Sequence, residues 1–365
     1  MALNLGIVGL PNSGKSTLFN ALTSGDAQVA NYPFCTIDPN VGVVEVPDSR
    51  LQELAACLTP DRVTPTQIRF IDIAGLVRGA NQGEGLGNQF LGHIRECDAI
   101  IHVVRCFVDE QVTHVDGSID PIRDAETIFT ELALADLEMV ETGLDRVQKV
   151  LRSNPRDPKE KTLEAALSAA IEVLSSGKPA SKAVLTTEGL VALDAFRLLT
   201  LKDVLYVANI SDSDLPDGGS GQATLAGQFG EDLVLPISAQ IEAELNELAP
   251  EDRTAFLADL GVGETGINLL IRAGYELLGL ITFYTTANGL LQAWQLPLRS
   301  TAPKAAGRVH SDMEQGFIRA EVARSEDIIE DGGMEALRGT GKVRVEGRDY
   351  IVQDGDVIRF LFNTP

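Results

Sequence analysis

Cysteine is scarce in this 365-residue chain, basic residues are outnumbered, and long apolar runs are missing. The four cysteines, Cys35, Cys57, Cys97 and Cys106, show no C-x-x-C spacing. That argues against a redox or zinc pair and leaves reduced thiols serving as small apolar residues. Lys and Arg total 30 against 53 Asp and Glu, a formal net charge of −23. Such a chain does not coat nucleic acid through bulk charge, so an RNA contact requires a local patch and no DNA partner is expected. No apolar stretch approaches the roughly 20 residues of a membrane span, so no membrane partner is expected. The first residues read as a strand, not a signal peptide, and a cytoplasmic location is expected. The single tryptophan, Trp294, reads as core, not as a base-stacking platform. Internal repeats and low-complexity segments are absent.

What the chain has is apolar bulk and one decisive loop. Hydrophobic residues make up 44% of it, and its length predicts two or three domains. Residues 9–17, Gly9-Leu10-Pro11-Asn12-Ser13-Gly14-Lys15-Ser16-Thr17, fit G-x-x-x-x-G-K-[ST]. Leu5 to Val8 reads as a buried strand before this loop, and Leu18 to Leu22 as a helix after it. Gly9 and Gly14 let the backbone curl so that N–H groups point into one concavity. The helix N-terminus adds positive potential at the same place. Lys15 is placed for β- and γ-phosphates, and Ser16 for Mg²⁺. Residues 12–17 are the expected phosphate contacts.

The surrounding pattern fits this loop. Apolar strands at 41–46, 68–73, 100–104, 204–208 and 233–237 alternate with helical stretches, which predicts an α/β fold with a parallel sheet covered on both faces. Leu137, Val140, Leu144, Val147 and Leu151, then Leu163, Leu167, Ala170 and Leu174, form heptad-like seams broken at residues 153–158. They predict an inserted antiparallel helical hairpin, with two ordinary amphipathic helices packed on the sheet as the alternative. From about Ile281 the chain becomes a strand-rich α+β unit. Asp72-Ile73-Ala74-Gly75 closes a strand with a carboxylate and a glycine. Asp72 is the candidate for a Mg²⁺-bound water and the Gly75 N–H for the γ-phosphate. Thr36 lies in the intervening loop, where a switch residue completes the Mg²⁺ shell. Asn209-Ile210-Ser211-Asp212 follows the next strand, where a GTPase carries N-K-x-D. Ser238-Ala239 follows the one after and is placed to back the base.

These residues match a family. The chain resembles the YchF/Obg-like ATPases over nearly its whole length. The resemblance rests on residues 9–17, 31–37, 83–91 (Gly83-Glu84-Gly85-Leu86-Gly87-Asn88-Gln89-Phe90-Leu91), 301–307 and 349–356. It implies a P-loop GTPase-like core (1–125 and 200–280), a helical coiled-coil insertion (126–199) and a C-terminal TGS domain of β-grasp fold (281–365). It further implies ATP hydrolysis, association with the ribosome or its RNA through the TGS and helical parts, and a role in translation or stress.

Base choice is where the chain departs from its relatives. The family pattern is N-x-x-E, but residue 212 is Asp, the residue with which a GTPase accepts guanine N1–H. Ile210 stands where a GTPase has lysine. A shorter Asp212 leaves Asn209 and the Ile210 backbone to meet adenine, which favours ATP; GTP or dual use stays open. Leu76 follows Gly75 and cannot orient water, so slow turnover is expected. In related GTPases with P-N-x-G-K-S the asparagine helps hold K⁺, which makes Asn12 a candidate K⁺ ligand or a residue that only shapes the loop. His93 reads as a helix-surface or packing residue. Arg338, Lys342, Arg344 and Arg348 form the one basic cluster considered for RNA, with pairing to nearby acids such as Glu335, Glu346 and Asp349 as the alternative.

Overall fold

The computed structural model describes residues 3–24, 40–73, 86–109, 112, 114–115, 117–337 and 339–363. Thr36, Gly75, Leu76, the run 31–37 and Arg338 lie outside the described residues, as does the start of the glycine-rich run, 83–85. Twelve strands are described: β1 Asn4–Val8, β2 Val41–Glu45, β3 Arg62–Thr64, β4 Gln67–Asp72, β5 Ala99–Arg105, β6 Val204–Asn209, β7 Val234–Ile237, β8 Leu280–Ala287, β9 Leu290–Pro297, β10 Phe317–Arg324, β11 Arg344–Glu346 and β12 Asp356–Phe362. The α-helices described in the N-terminal half of the chain are α1 Lys15–Ser24, α2 Ser49–Leu58, α3 Leu86–Glu96, α4 Pro121–Ser153 and α5 Pro158–Ser175. The chain divides into two compact units, Met1–Gly42 with Arg69–Leu269, and Val43–Ile68 with Leu270–Pro365.

The sheet β2-β4-β1-β5-β6-β7 lies mostly in the first unit, which holds β1, β5, β6, β7 and most of β4. β1 runs parallel to β4 and β5, β5 to β6, and β6 to β7. Strands covered on both faces need apolar residues at successive positions, and β5 is buried throughout. One core lies under α3 and the start of α4, where Val8, Ile73, Phe90, Ile94, Ile100, Ile128 and Leu132 meet. Because the strands are parallel, β1, β4, β5, β6 and β7 all end at one edge, where ligands of open α/β sheets bind.

α4 and α5 form the expected hairpin. Asp120 and Asp157 cap their N-termini, accepting from Arg123 N–H at 3.1 Å and from Lys159 N–H at 3.0 Å. Pro121 and Pro158 occupy first-turn positions where no N–H is missed. The seam residues Val140, Val147, Leu167, Ala170 and Leu174 are buried together, with Leu137, Leu144, Leu151 and Leu163 packed on them. Fully burying each large side chain stabilises by about 1.5–3 kcal/mol. Gly143 sits in α4 because a Cβ there would lie 2.5 Å from Phe196 Cε1. Among the described residues no helix is long and apolar enough to cross a membrane.

The second unit carries the sheet β11-β10-β12-β8-β9-β3. β8 and β9 form a hairpin turned by Asn288 and Gly289, both at positive φ (52° and 74°), the conformation a two-residue type I′ turn requires. β12 lies parallel to β8, and β10 antiparallel to β12. The order β9-β8-β12-β10-β11, with the helix Ala302–Val309 packed on Phe283, Phe317 and Ile358, is a β-grasp arrangement. Trp294 packs against this core and donates to Thr285 Oγ1 at 2.9 Å, as expected of a core residue. β3 extends the sheet by pairing parallel with β9. This brings residues 43–68, including α2, into the second unit, an association no local sequence pattern signalled.

Candidate functional site

The loop between β1 and α1 takes the phosphate-cradle form. Gly14 has φ +89° and packs so closely that a Cβ would stand 2.0 Å from Asn209 Nδ2. Gly9 likewise leaves no room for a Cβ, which would meet Val103 O at 2.7 Å. Asn12 holds a left-handed backbone (φ 64°) with an exposed side chain. The Ser13 hydroxyl is buried with no partner among the described residues. Ser16 and Thr17, in the first turn of α1, are exposed. The buried Lys15 ammonium forms an ion pair with Asp72 at the end of β4. The D-x-x-G carboxylate and the loop lysine, 57 residues apart, are thus brought together by the fold.

Asn209, at the end of β6, is buried and holds two backbone partners. Its Nδ2 donates to Ser13 O at 2.8 Å, and its Oδ1 accepts from Ala239 N–H at 3.0 Å. It ties the phosphate loop to the loop after β7. Ile210 buries its side chain, and its N–H donates to Ile237 O at 3.0 Å. Asp212 is exposed in a short turn, and its Oδ1 accepts from Ser211 Oγ at 3.1 Å. Ser238 is buried and caps the helix Ala239–Glu247, accepting from Ile241 N–H at 3.4 Å. All of the described residues assigned to the base side cluster at the sheet edge, but Asn209, Ile210 and Ser238 spend these groups on the scaffold.

Sequence reasoning missed a polar group beside the loop. His114 Nε2 lies 2.7 Å from Asp124 Oδ2, and Arg123 pairs with the other carboxylate oxygen at 3.0 Å. His114 and Asp124 line a small cavity together with Leu10, Pro11, Ser13, His102 and Arg105. Asp124 belongs to the first turn of α4. Arg105 closes the end of β5 by donating to Phe107 O, Val112 O and Asp109 O at 3.0–3.3 Å. His102 is fully enclosed in β5, and burial pushes its imidazole down to about 3, so it is neutral. Nothing in the local sequence marks His114, which approaches the loop only through the fold. His93 is exposed on α3.

The donor set suits Mg²⁺. A hard cation takes oxygen ligands and is commonly held by one or two protein groups plus substrate phosphates. The Ser16 hydroxyl and the Asp72 carboxylate belong to the loop's helix start and to the strand end that meets Lys15. Among the described residues no group of three or more His, Cys, Asp or Glu could cage a metal by itself.

The basic cluster of the second unit is internally paired. Lys342 contacts Asp331, Asp327 and Glu330 at 2.7, 3.2 and 3.5 Å. Arg344 reaches Glu346 at 3.5 Å and Tyr350 Oη at 3.0 Å. Arg348 donates to Phe317 O at 3.0 Å. Of the acids expected to pair with this cluster only Glu346 does so among the described residues; Lys342 takes Asp327, Glu330 and Asp331 instead, and Arg348 takes a backbone carbonyl.

Comparison with known proteins supplies the wider context. Residues 4–134 match a family described as 50S ribosome-binding GTPase, and residues 280–363 match YchF-GTPase_C, described as a protein of unknown function. A Bacillus subtilis protein named Ribosome-binding ATPase YchF is 50% identical, with 100% of both chains covered. The proteins of that name from Haemophilus ducreyi and Escherichia coli O157:H7 are 49% and 46% identical, again over 100% of both chains. A solved structure described as the Schizosaccharomyces pombe YchF GTPase superposes with a TM-score of 0.88 at 32% identity, covering 98% of this chain and 97% of that one.

Proposed function

This chain belongs to the YchF family, and on that premise we propose that it is a cytoplasmic, Mg²⁺-dependent ATPase that docks on the ribosome in a nucleotide-controlled way. The observation that carries the reading is the meeting of Lys15 and Asp72 beside a loop whose Gly14 can be nothing but glycine. Mg²⁺, when bound with the triphosphate, neutralises phosphate charge during transfer. Lys15 then exchanges Asp72 for the β- and γ-phosphates, the loop N–H groups orient them, and Ser16 and Asp72 face the cation. Thr36 and the Gly75 N–H, outside the described residues, are the groups we assign to the remaining switch contacts. With Leu76 unable to orient water, turnover is slow. The His114–Asp124 pair braces the wall of the loop beside Pro11 and Ser13.

Adenine is preferred because nothing holds the base-side groups for guanine. Asp212 is short, exposed and bonded by Ser211, and Ile210 presents no lysine stem. Asn209 acts from behind, by fixing the loop against Ala239, and Ser238 supports it by capping the adjoining helix. To Asn12, at the loop's exposed turn, we assign the K⁺ ligand role, which its left-handed backbone and exposure support, and turnover independent of K⁺ would refute that role. Titration calorimetry with ATP and GTP analogues in Mg²⁺ tests the base assignment, and tighter GTP binding would overturn it.

Ribosome docking uses the tip of the α4–α5 hairpin and the β-grasp unit. Lys149, Arg152, Arg156, Lys159 and Lys161 are all exposed around that turn, a concentration of positive charge in an acidic chain. Phosphate contacts from such side chains make binding salt-dependent. Co-sedimentation with ribosomes should be stronger with a non-hydrolysable ATP analogue than with ADP and should weaken when Lys149, Arg152 and Lys159 are changed to Glu.

A further inference from the structure

A groove in the first unit lies between α3 and α4, and no phosphate-loop residue lines it. Its volume is about 620 Å³, within the range of small-molecule sites. Leu91, Ala135, Met139 and Phe196 give it an apolar floor. Two glycines shape it in opposite ways. Gly143 lets Phe196 seat directly against α4. A Cβ on Gly92, by contrast, would meet no heavy atom within 4 Å, so this helical glycine keeps the groove open.

The polar groups at the groove are mostly cationic. The Arg95 guanidinium is half-buried, with Nη1 3.0 Å from Met139 Sδ and 3.4 Å from Phe196 O. A thioether is a weak acceptor for a group with five donors in a fixed fork. Arg146 is exposed on the same lining and has no ion pair among the described residues. Glu138, exposed, is the one carboxylate on the lining. Two arginines against one acid is the reverse of the chain's balance of 30 basic to 53 acidic residues.

We propose that the α3–α4 groove is a binding site for a small amphipathic anion, with an apolar body on the Leu91–Met139–Phe196 floor and one acid group bridging Arg95 and Arg146. Charge complementarity and volume together select this occupant. A carboxylate, sulfonate or phosphate matches the guanidinium fork, and an apolar body displaces water from the floor. Nucleotide binding at the phosphate loop uses none of these side chains.

The probe is anilinonaphthalene sulfonate, an aromatic monoanion whose fluorescence rises on leaving water, titrated into the full-length folded chain. One saturable site is expected, unaffected by excess ATP. Arg95→Met and Arg146→Met should each weaken it about tenfold or more, the loss of a charge-assisted contact. Gly92→Leu directs its side chain into the open groove and should abolish the site while the urea midpoint holds or rises. Absence of saturable binding would overturn the proposal, as would equal binding by all three variants or displacement of the dye by ATP. Displacement by an acidic aromatic peptide tighter than the dye itself would overturn it in favour of protein docking.

Discussion

The tightest contact in the site is also the most informative to perturb. In Gly14→Ala the new Cβ would stand 2.0 Å from Asn209 Nδ2 and 3.2 Å from its Cγ. Asn209 must move, and both of its backbone bonds, at 2.8 and 3.0 Å, break. Losing two buried hydrogen bonds and stranding their partners costs about 2–4 kcal/mol. Alanine at positive φ adds about 1–2 kcal/mol, which makes Gly14→Ala about 3–6 kcal/mol destabilising. Asn209→Ala alone should cost about 2–4 kcal/mol, by the same two bonds. The double variant loses those bonds only once, so it should be no less stable than Gly14→Ala. The coupling energy, read from urea unfolding of nucleotide-free protein, is then about 2–4 kcal/mol. A coupling within about 0.5 kcal/mol of zero is the additivity of independent sites and would refute the clash.

Other consequences can be checked alongside. Lys15→Ala should weaken ATP binding by about 1.5–3 kcal/mol, the loss of a charged contact to phosphate. In Asp72→Asn the affinity gained on adding Mg²⁺ should shrink, read by calorimetry with and without the cation. His102 is held neutral in the fold, at about 3. The unfolded imidazole protonates near 6.5, so the unfolded chain binds the extra proton, and stability falls as pH drops from about 6.5 towards about 3. The limiting slope is about 1.4 kcal/mol per pH unit. Urea midpoints should therefore decline less on acidification in His102→Leu than in the parent. Gly143→Ala should cost about 1–3 kcal/mol, because the new methyl overpacks against the Phe196 ring.

Much of the fold was legible because its signals are local. Apolar runs marked the parallel strands, and 3-4 spacing broken at residues 153–158 marked α4 and α5. The phosphate loop and Asp72 were legible as motifs, and the fold brings Lys15 and Asp72 together. What escaped depends on distant pairing. β3 is three mostly exposed residues with no apolar alternation, and its register with β9, Arg62 opposite Leu290, is set by tertiary contact alone. The His114–Asp124 pair escaped for the same reason, since only the path of the chain after β5 brings it to Pro11 and Ser13. The scaffold bonds of Asn209 to Ser13 and Ala239 escaped as well, because sequence shows the type of a side chain but not how its hydrogen bonds are spent.

The length of α4 has a mechanical consequence. Its first turn holds Asp124, bonded to His114 at the wall of the phosphate loop, and its last residue, Ser153, adjoins the basic turn. Thirty-three residues of continuous helix span about 50 Å at 1.5 Å per residue. Pivoted at its base, such a rod acts as a lever: a tilt of about 5° carries the far end about 4 Å, for a displacement near Asp124 of a few tenths of an ångström. Any displacement imposed at the Asp124 end would reach the basic turn enlarged by the length of the rod.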